Sequence, residues 1–234
     1  MPNPYSVLCP LVALGRVYAG AVLKVHDVLV SSEEQAAVRL LMLLHVAADS
    51  VLAEPAPDEA EACIAGEMRL QAMDCWLRNP DYLAWELLDQ AELRPDAVLV
   101  GEAARIVSAE EEPDLRTTPM LRWRHGAWER LDDCLSLLAV DIRRGKNLGG
   151  RRDFYLLAEG RRAATRLLAD IPALGWYADR AHLVGVVAGD VGGDELKARQ
   201  KAVWEYRDTR WNDHIAGIRV KVMERLSRLG QGVA

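Results

Sequence analysis

The sequence predicts a mainly α-helical protein with a winged helix-turn-helix core, a β-hairpin wing and additional C-terminal helices. Three observations predict it. Leucine-rich segments step by three and four residues, the spacing of one helix face. A basic, glycine-turned hairpin sits between two helical segments, from Arg124 to Ala169. Two further helices expected at 33–53 and 58–78 complete a three-helix scaffold ahead of that hairpin.

The elements follow in order. Residues 1–30 hold early prolines and a Val/Leu/Ala-rich stretch whose period fits a buried helix or a strand. Ser31 with Glu34, or Ser32 with Gln35, has capping-box spacing, and Ala37, Leu40, Leu41, Leu44, Ala48 and Val51 then form an apolar face. Pro55 and Pro57 close that helix. A second helix starts near Asp58 with Leu70, Met73 and Leu77 on one stripe, and Asn79-Pro80 starts a third that ends near Arg94-Pro95. Residues 95–120 read as an inserted surface excursion. Trp128, Leu131, Leu135 and Leu138 predict a recognition helix of about four turns. The hairpin follows, turning at residues 145–150, where glycines supply the positive φ of a tight reversal. Another helix begins at Glu159 and stops at Pro172. A Trp176–Ala188 helix, a flexible loop at 189–193 and one long helix over 194–229 end the chain. The winged-helix domain therefore spans 1–172 with its N-terminal extension and insertion, and a helical region spans 173–234.

Charge is unevenly distributed. The net charge is −6, yet residues 1–115 carry 7 basic against 20 acidic side chains, and residues 116–166 carry 12 against 6. An anionic partner is expected for the middle alone. The wing gathers Arg143, Arg144, Lys146, Arg151 and Arg152, enough cations to neutralise several phosphates. Nucleic acid and an acidic protein surface fit that cluster equally. The recognition helix argues against a sequence-reading repressor, because Glu129, Asp132 and Asp133 outnumber Arg130 there, and carboxylates repel phosphates.

Catalytic and metal constellations do not emerge. His26, His45, His125, His182 and His214 are scattered without HExxH spacing, and neighbouring carboxylates such as Asp132-Asp133 point to different helix faces. No cofactor and no enzymatic activity are expected. Cys9, Cys63, Cys75 and Cys134 lack paired spacing and read as buried apolar residues of a reducing compartment. The apolar patches of 7–30 are interrupted by Arg16, Lys24, His26 and Asp27, so no membrane span and a cytoplasmic protein are expected. The seven tryptophans suit half-buried seams and interfaces. In the segment 69–83 one reading is a helix–proline–helix corner packed by Met73, Trp76 and Leu77. The other is a docking surface of Trp76, Arg78, Tyr82 and Trp85.

The order of a leucine-rich first helix, "LQAMDCWLRNPDYL", a basic wing followed by "DFYLLAEGRRAATRLL", and "WYADRAHLV" resembles the middle components of ABC-three-component conflict systems. These are winged-helix accessory proteins of Lamassu-type anti-phage loci. The likeness spans residues 33–185, with an expanded 95–120 and a more basic wing. It implies a non-catalytic subunit that contacts an SMC- or ABC-type ATPase and a nuclease-like effector, with DNA backbone as a further contact. The alternative is a winged-helix transcriptional regulator, dimeric through the 194–229 helix.

Overall fold

Helix α1 (Glu33–Ala47) is the axis of the molecule, which is seen here in a computed structural model. The structure describes residues 33–51, 56–108, 121–123, 126–128, 130–138, 140–144 and 151–231. The expected capping boxes and residues 1–30 lie outside that set. Residues 36–44 are buried without exception, as befits a helix apolar on nearly every face. Arg39 is the polar intruder, and its Nε donates to Asp74 Oδ1 at 2.6 Å. The apolar face read from the sequence is therefore a whole cylinder. The helix also ends sooner than expected, because Asp49–Ser50 (β1) leaves it to pair with β2 (Ala60–Ala65).

That strand is the first correction. The expected helix over 58–78 is strand β2 followed by helix α2 (Glu67–Arg78). Residues 60–65 favour helix by composition, but β2 pairs antiparallel with β6 (Arg152–Leu157), which buries Ala62 and Ile64 beside Phe154 and Leu156. Tertiary pairing outweighs a weak local preference. On the other edge of β6 lies β5 (Val140–Arg144), with Ile142 opposite Phe154 and Arg144 opposite Arg152. The sheet order is β1-β2-β6-β5, antiparallel throughout. The expected hairpin is present, and its turn at 145–150 lies outside the described residues.

Helix α3 (Pro80–Leu93) starts at Pro80, as read. Helix α4 (Ala97–Ser108) packs along it and buries Ala103, Ile106 and Val107, so the first half of the expected surface excursion belongs to the core. The second half is not among the described residues. The expected four-turn recognition helix is also shorter. Arg122–Trp123 (β3) and Gly126–Ala127 (β4) form a small antiparallel ribbon, and among the described residues of this stretch only Asp132–Ser136 (α5) is helical.

Helix α6 (Ala158–Asp170) follows β6 directly and turns Ala164 and Leu167 inward. Helix α7 (Gly175–Ala188) packs on α1. The long terminal helix is three pieces: α8 (Gly193–Ala202), α9 (Trp204–Asp208) and α10 (Arg219–Gln231). Two groups on α3 satisfy the backbone where the helix is broken. Tyr82 Oη donates to Ala216 O at 2.8 Å, and Ile218 N donates to Asp81 Oδ2. Ile215, Ile218 and Val222 are buried inside this chain, while Trp211 ahead of them is exposed, so part of the segment expected to pair two copies is core.

Among the described residues no helix is long and apolar enough to cross a membrane. Among the described residues Cys63, Cys75 and Cys134 form no disulfide; Cys75 and Cys134 are buried as expected, and Cys63 is half-buried. Burial pushes the Cys75 thiol up to about 12, consistent with an inert apolar side chain.

Candidate functional site

The wing is the first of three regions the sequence and structure put forward. Of its five cations, Lys146 and the side chains of Arg143 and Arg144 lie outside the described residues. Arg151 Nη2 donates to the nearly buried Asp153 at 3.1 Å. The Arg152 guanidinium bonds Asp132 on α5, stands 3.5 Å from Glu67 at the start of α2, and lies over the Phe154 ring at 5.6 Å. Both visible cations are thus engaged by the chain's own carboxylates. The acids that made the recognition helix look unsuited to DNA have a local use: Asp132 ties α5 to the base of the wing. Charge reversal at Arg152 would set a third carboxylate beside Glu67 and Asp132.

The second region is the expected docking surface, and the structure turns it inward. Trp76, Arg78 and Tyr82 are at most 5% exposed, so they cannot share an open face with Trp85. Arg78 lies 3.8 Å from Asp74, the carboxylate that also holds Arg39. Arg199 covers the Trp76 ring at 5.3 Å and pairs with buried Glu86. Burial holds the Glu86 carboxyl above its ordinary value, and Arg199 opposes that rise. Trp85 is half-buried between Arg225 at 4.3 Å and Lys221 at 4.7 Å. These residues are a seam fastening α8 and α10 to α2 and α3. The corner reading of this segment is the one the burial fits.

The third region was missed from sequence. A cleft of about 490 Å³ opens between α2, α8 and the β3–β4 ribbon. Gln71, Ala127 and Lys197 form its inner wall, and Glu67, Met68, Trp128 and Asp194 its mouth. Its construction depends on two glycines. A Cβ at Gly193 would stand 2.5 Å from Arg69 N, so only glycine lets α8 begin this close to α2. Gly126 has φ +117, and a Cβ there would meet the Tyr206 hydroxyl. The loop before α8, read as flexible, is held by Arg69, which donates to the carbonyls of Gly189 and Val191.

The ribbon is pinned from beneath. Lys197 Nζ donates to Ala127 O at 2.7 Å, and Ala127 N donates to the Tyr206 hydroxyl. Burial lowers the Lys197 amine to about 8. Gln200 Nε2 in turn donates to Ala72 O at 2.9 Å, fixing α8 on α2. From the side, residues 212–214 run along β3: Asn212 N donates to Arg122 O at 2.8 Å and Arg122 N to Asp213 O at 3.0 Å. This rigid base carries apolar groups that nothing among the described residues covers. Trp123 and Trp128 are 47% and 42% exposed, with ring centroids 6.2 Å apart. Trp211, beside Asn212, is 63% exposed. The cue in the sequence was Gly126 between Trp123 and Trp128. A glycine inside a supposed helix start marks a reversal instead.

Among the described residues no group of three or more His, Cys, Asp or Glu side chains could hold a metal ion. The cleft offers one buried amine and two rim carboxylates, a set suited to binding by contact and charge. No protein-family model matches the chain, and no curated protein or solved structure matches it.

Proposed function

We propose that this protein is a non-catalytic, winged-helix accessory subunit of an SMC- or ABC-type ATPase complex in anti-phage defence. In this role it contacts the ATPase and a nuclease-like effector in the cytoplasm. The observation that carries the reading is the order of elements around the sheet. Helix α1, strand β2 and helix α2 come first; helix α5 and the β5–β6 hairpin come later, with β2 on the outer side of β6. We read that order as the helix–strand–helix, helix–hairpin order of a winged helix, with α3, α4 and the β3–β4 ribbon inserted between its second and third helices.

Two features favour protein contact over DNA reading. The described wing cations are already paired within the chain, so using them on phosphates would mean giving up those partners. The exposed apolar surface lies instead at the tryptophan ribbon. The transcriptional-regulator alternative is less favoured, since 194–229 is interrupted and Ile215, Ile218 and Val222 are buried within the chain. The test is purification through a tag on the full chain, co-expressed with the products of its neighbouring genes. An ATPase-containing complex is expected, and a clean monomer with no partner overturns the proposal.

A further inference from the structure

The cleft between α2, α8 and the β3–β4 ribbon has a composition that selects its occupant. We infer that it docks a partner-protein segment carrying one large apolar anchor flanked by basic residues. The inference deepens the accessory-subunit reading and rests on it only in taking the occupant to be a protein.

The mouth of the cleft is apolar. Trp128 and Met68 stand at the opening with 42% and 38% of their surface exposed, and Trp123 extends Trp128 outward. Large side chains held on a rigid base lose little conformational entropy on binding, which is why tryptophan recurs at the centres of interfaces. A cavity of about 490 Å³ is large enough to seat an aromatic or branched aliphatic side chain with its neighbours.

The charged half is the rim. Glu67 and Asp194 border the opening, and Glu195 follows on the first turn of α8. Glu67 shares Arg152 with Asp132. Asp194 and Glu195 have no ion-pair partner among the described residues. The cation of the cleft, Lys197, is 4% exposed and donates inward to Ala127 O, so it does little to offset the rim. A phosphate backbone or an acidic segment would meet uncompensated carboxylates; a basic flank would find partners. An acid-rimmed, aromatic-lined mouth also suits cation–π contact by an arginine beside the anchor.

The probe is a hexapeptide, acetyl-Arg-Lys-Leu-Phe-Lys-Arg-amide, titrated into the full chain by calorimetry and by tryptophan fluorescence. Two controls accompany it: the same peptide with glutamates for its basic residues, and one with alanines for Leu-Phe. Micromolar binding of the first, weakened at least tenfold in either control, is expected. Trp128→Ala and Asp194→Lys should each weaken it at least tenfold while thermal unfolding stays that of the parent chain. Met68→Glu provides a third variant at an exposed position, with the same expected loss. Equal binding of the acidic peptide, unchanged binding by all three variants, or no binding of the basic peptide overturns the inference. Peptide binding in a chain that co-purifies with no ATPase would sink the accessory-subunit reading and leave the cleft intact. A complex whose formation ignores all three variants would do the reverse.

Discussion

Trp85 and Trp128 illustrate two ways of treating the same side chain. Trp85 lies between the cations of Arg225 and Lys221, and those cations are matched by Asp89, Glu92 and Glu205. Trp128 lies beside Trp123 and borders a cleft whose rim carries Glu67, paired with Arg152, and Asp194, which has no ion-pair partner among the described residues. The first environment is satisfied within the chain; the second leaves apolar area exposed and a carboxylate unpaired among the described residues. The difference teaches that aromatic content alone says little about binding. What separates a seam from a surface is whether charge and apolar area are already satisfied.

Removing a side chain from each region should separate them sharply. Trp76→Ala, in the seam, should cost about 3–5 kcal/mol, since a fully buried indole leaves a cavity that the helices cannot close. Urea unfolding of the parent and variant chains measures it. Arg225→Ala, at the same seam, should cost about 1–3 kcal/mol through its lost bonds to Asp89 and Glu92 and its contact with Trp85. A cost near zero there would mean that α10 is held by its apolar stripe alone.

Lys197 tests the base beneath the open face. Its amine is lowered to about 8 by burial, against an ordinary 10.5 that the unfolded chain retains. Between those values the unfolded state holds more protons, so this group's contribution to stability rises with pH. Below about 8 the folded chain carries the full cost of a buried cation. Lys197→Met should therefore lose that rise, and the difference in unfolding midpoint between the two chains should shift across this window. Parallel midpoints at every pH would show that the amine is not buried as described. The smallest effect is expected at the ribbon: Trp128→Ala should change stability by about 1 kcal/mol or less, in contrast to its effect on peptide binding.

Much of the fold was legible because several signals agreed on it. Asn79-Pro80 marked the start of α3, and the glycine-turned basic stretch marked the β5–β6 hairpin. The stop at Pro172 is where α6 gives way to a single 3-10 turn. Strand β2 was illegible because its residues 60–65 have little β preference and become a strand only against β6. Ile215, Ile218 and Val222 have helical spacing, yet Asp81 and Tyr82 take over backbone groups of Ala216 and Ile218 from a distant part of the sequence. For the site, spacing could mark Trp76 and Tyr82 as large side chains on a helix but could not say which way they faced. The cleft depends on α2 and α8, which are more than a hundred residues apart, meeting at Gly193. No local pattern carries that juxtaposition.

The central claim is that the open tryptophan face, not the wing, meets the protein partner. Backbone hydrogen exchange on the full chain, alone and in the complex purified through its tag, tests it most directly. The account predicts new protection at residues 67–71, 121–128 and 193–197. Protection confined to 140–144 and 151–157, with the cleft exchanging as in the free chain, would contradict it.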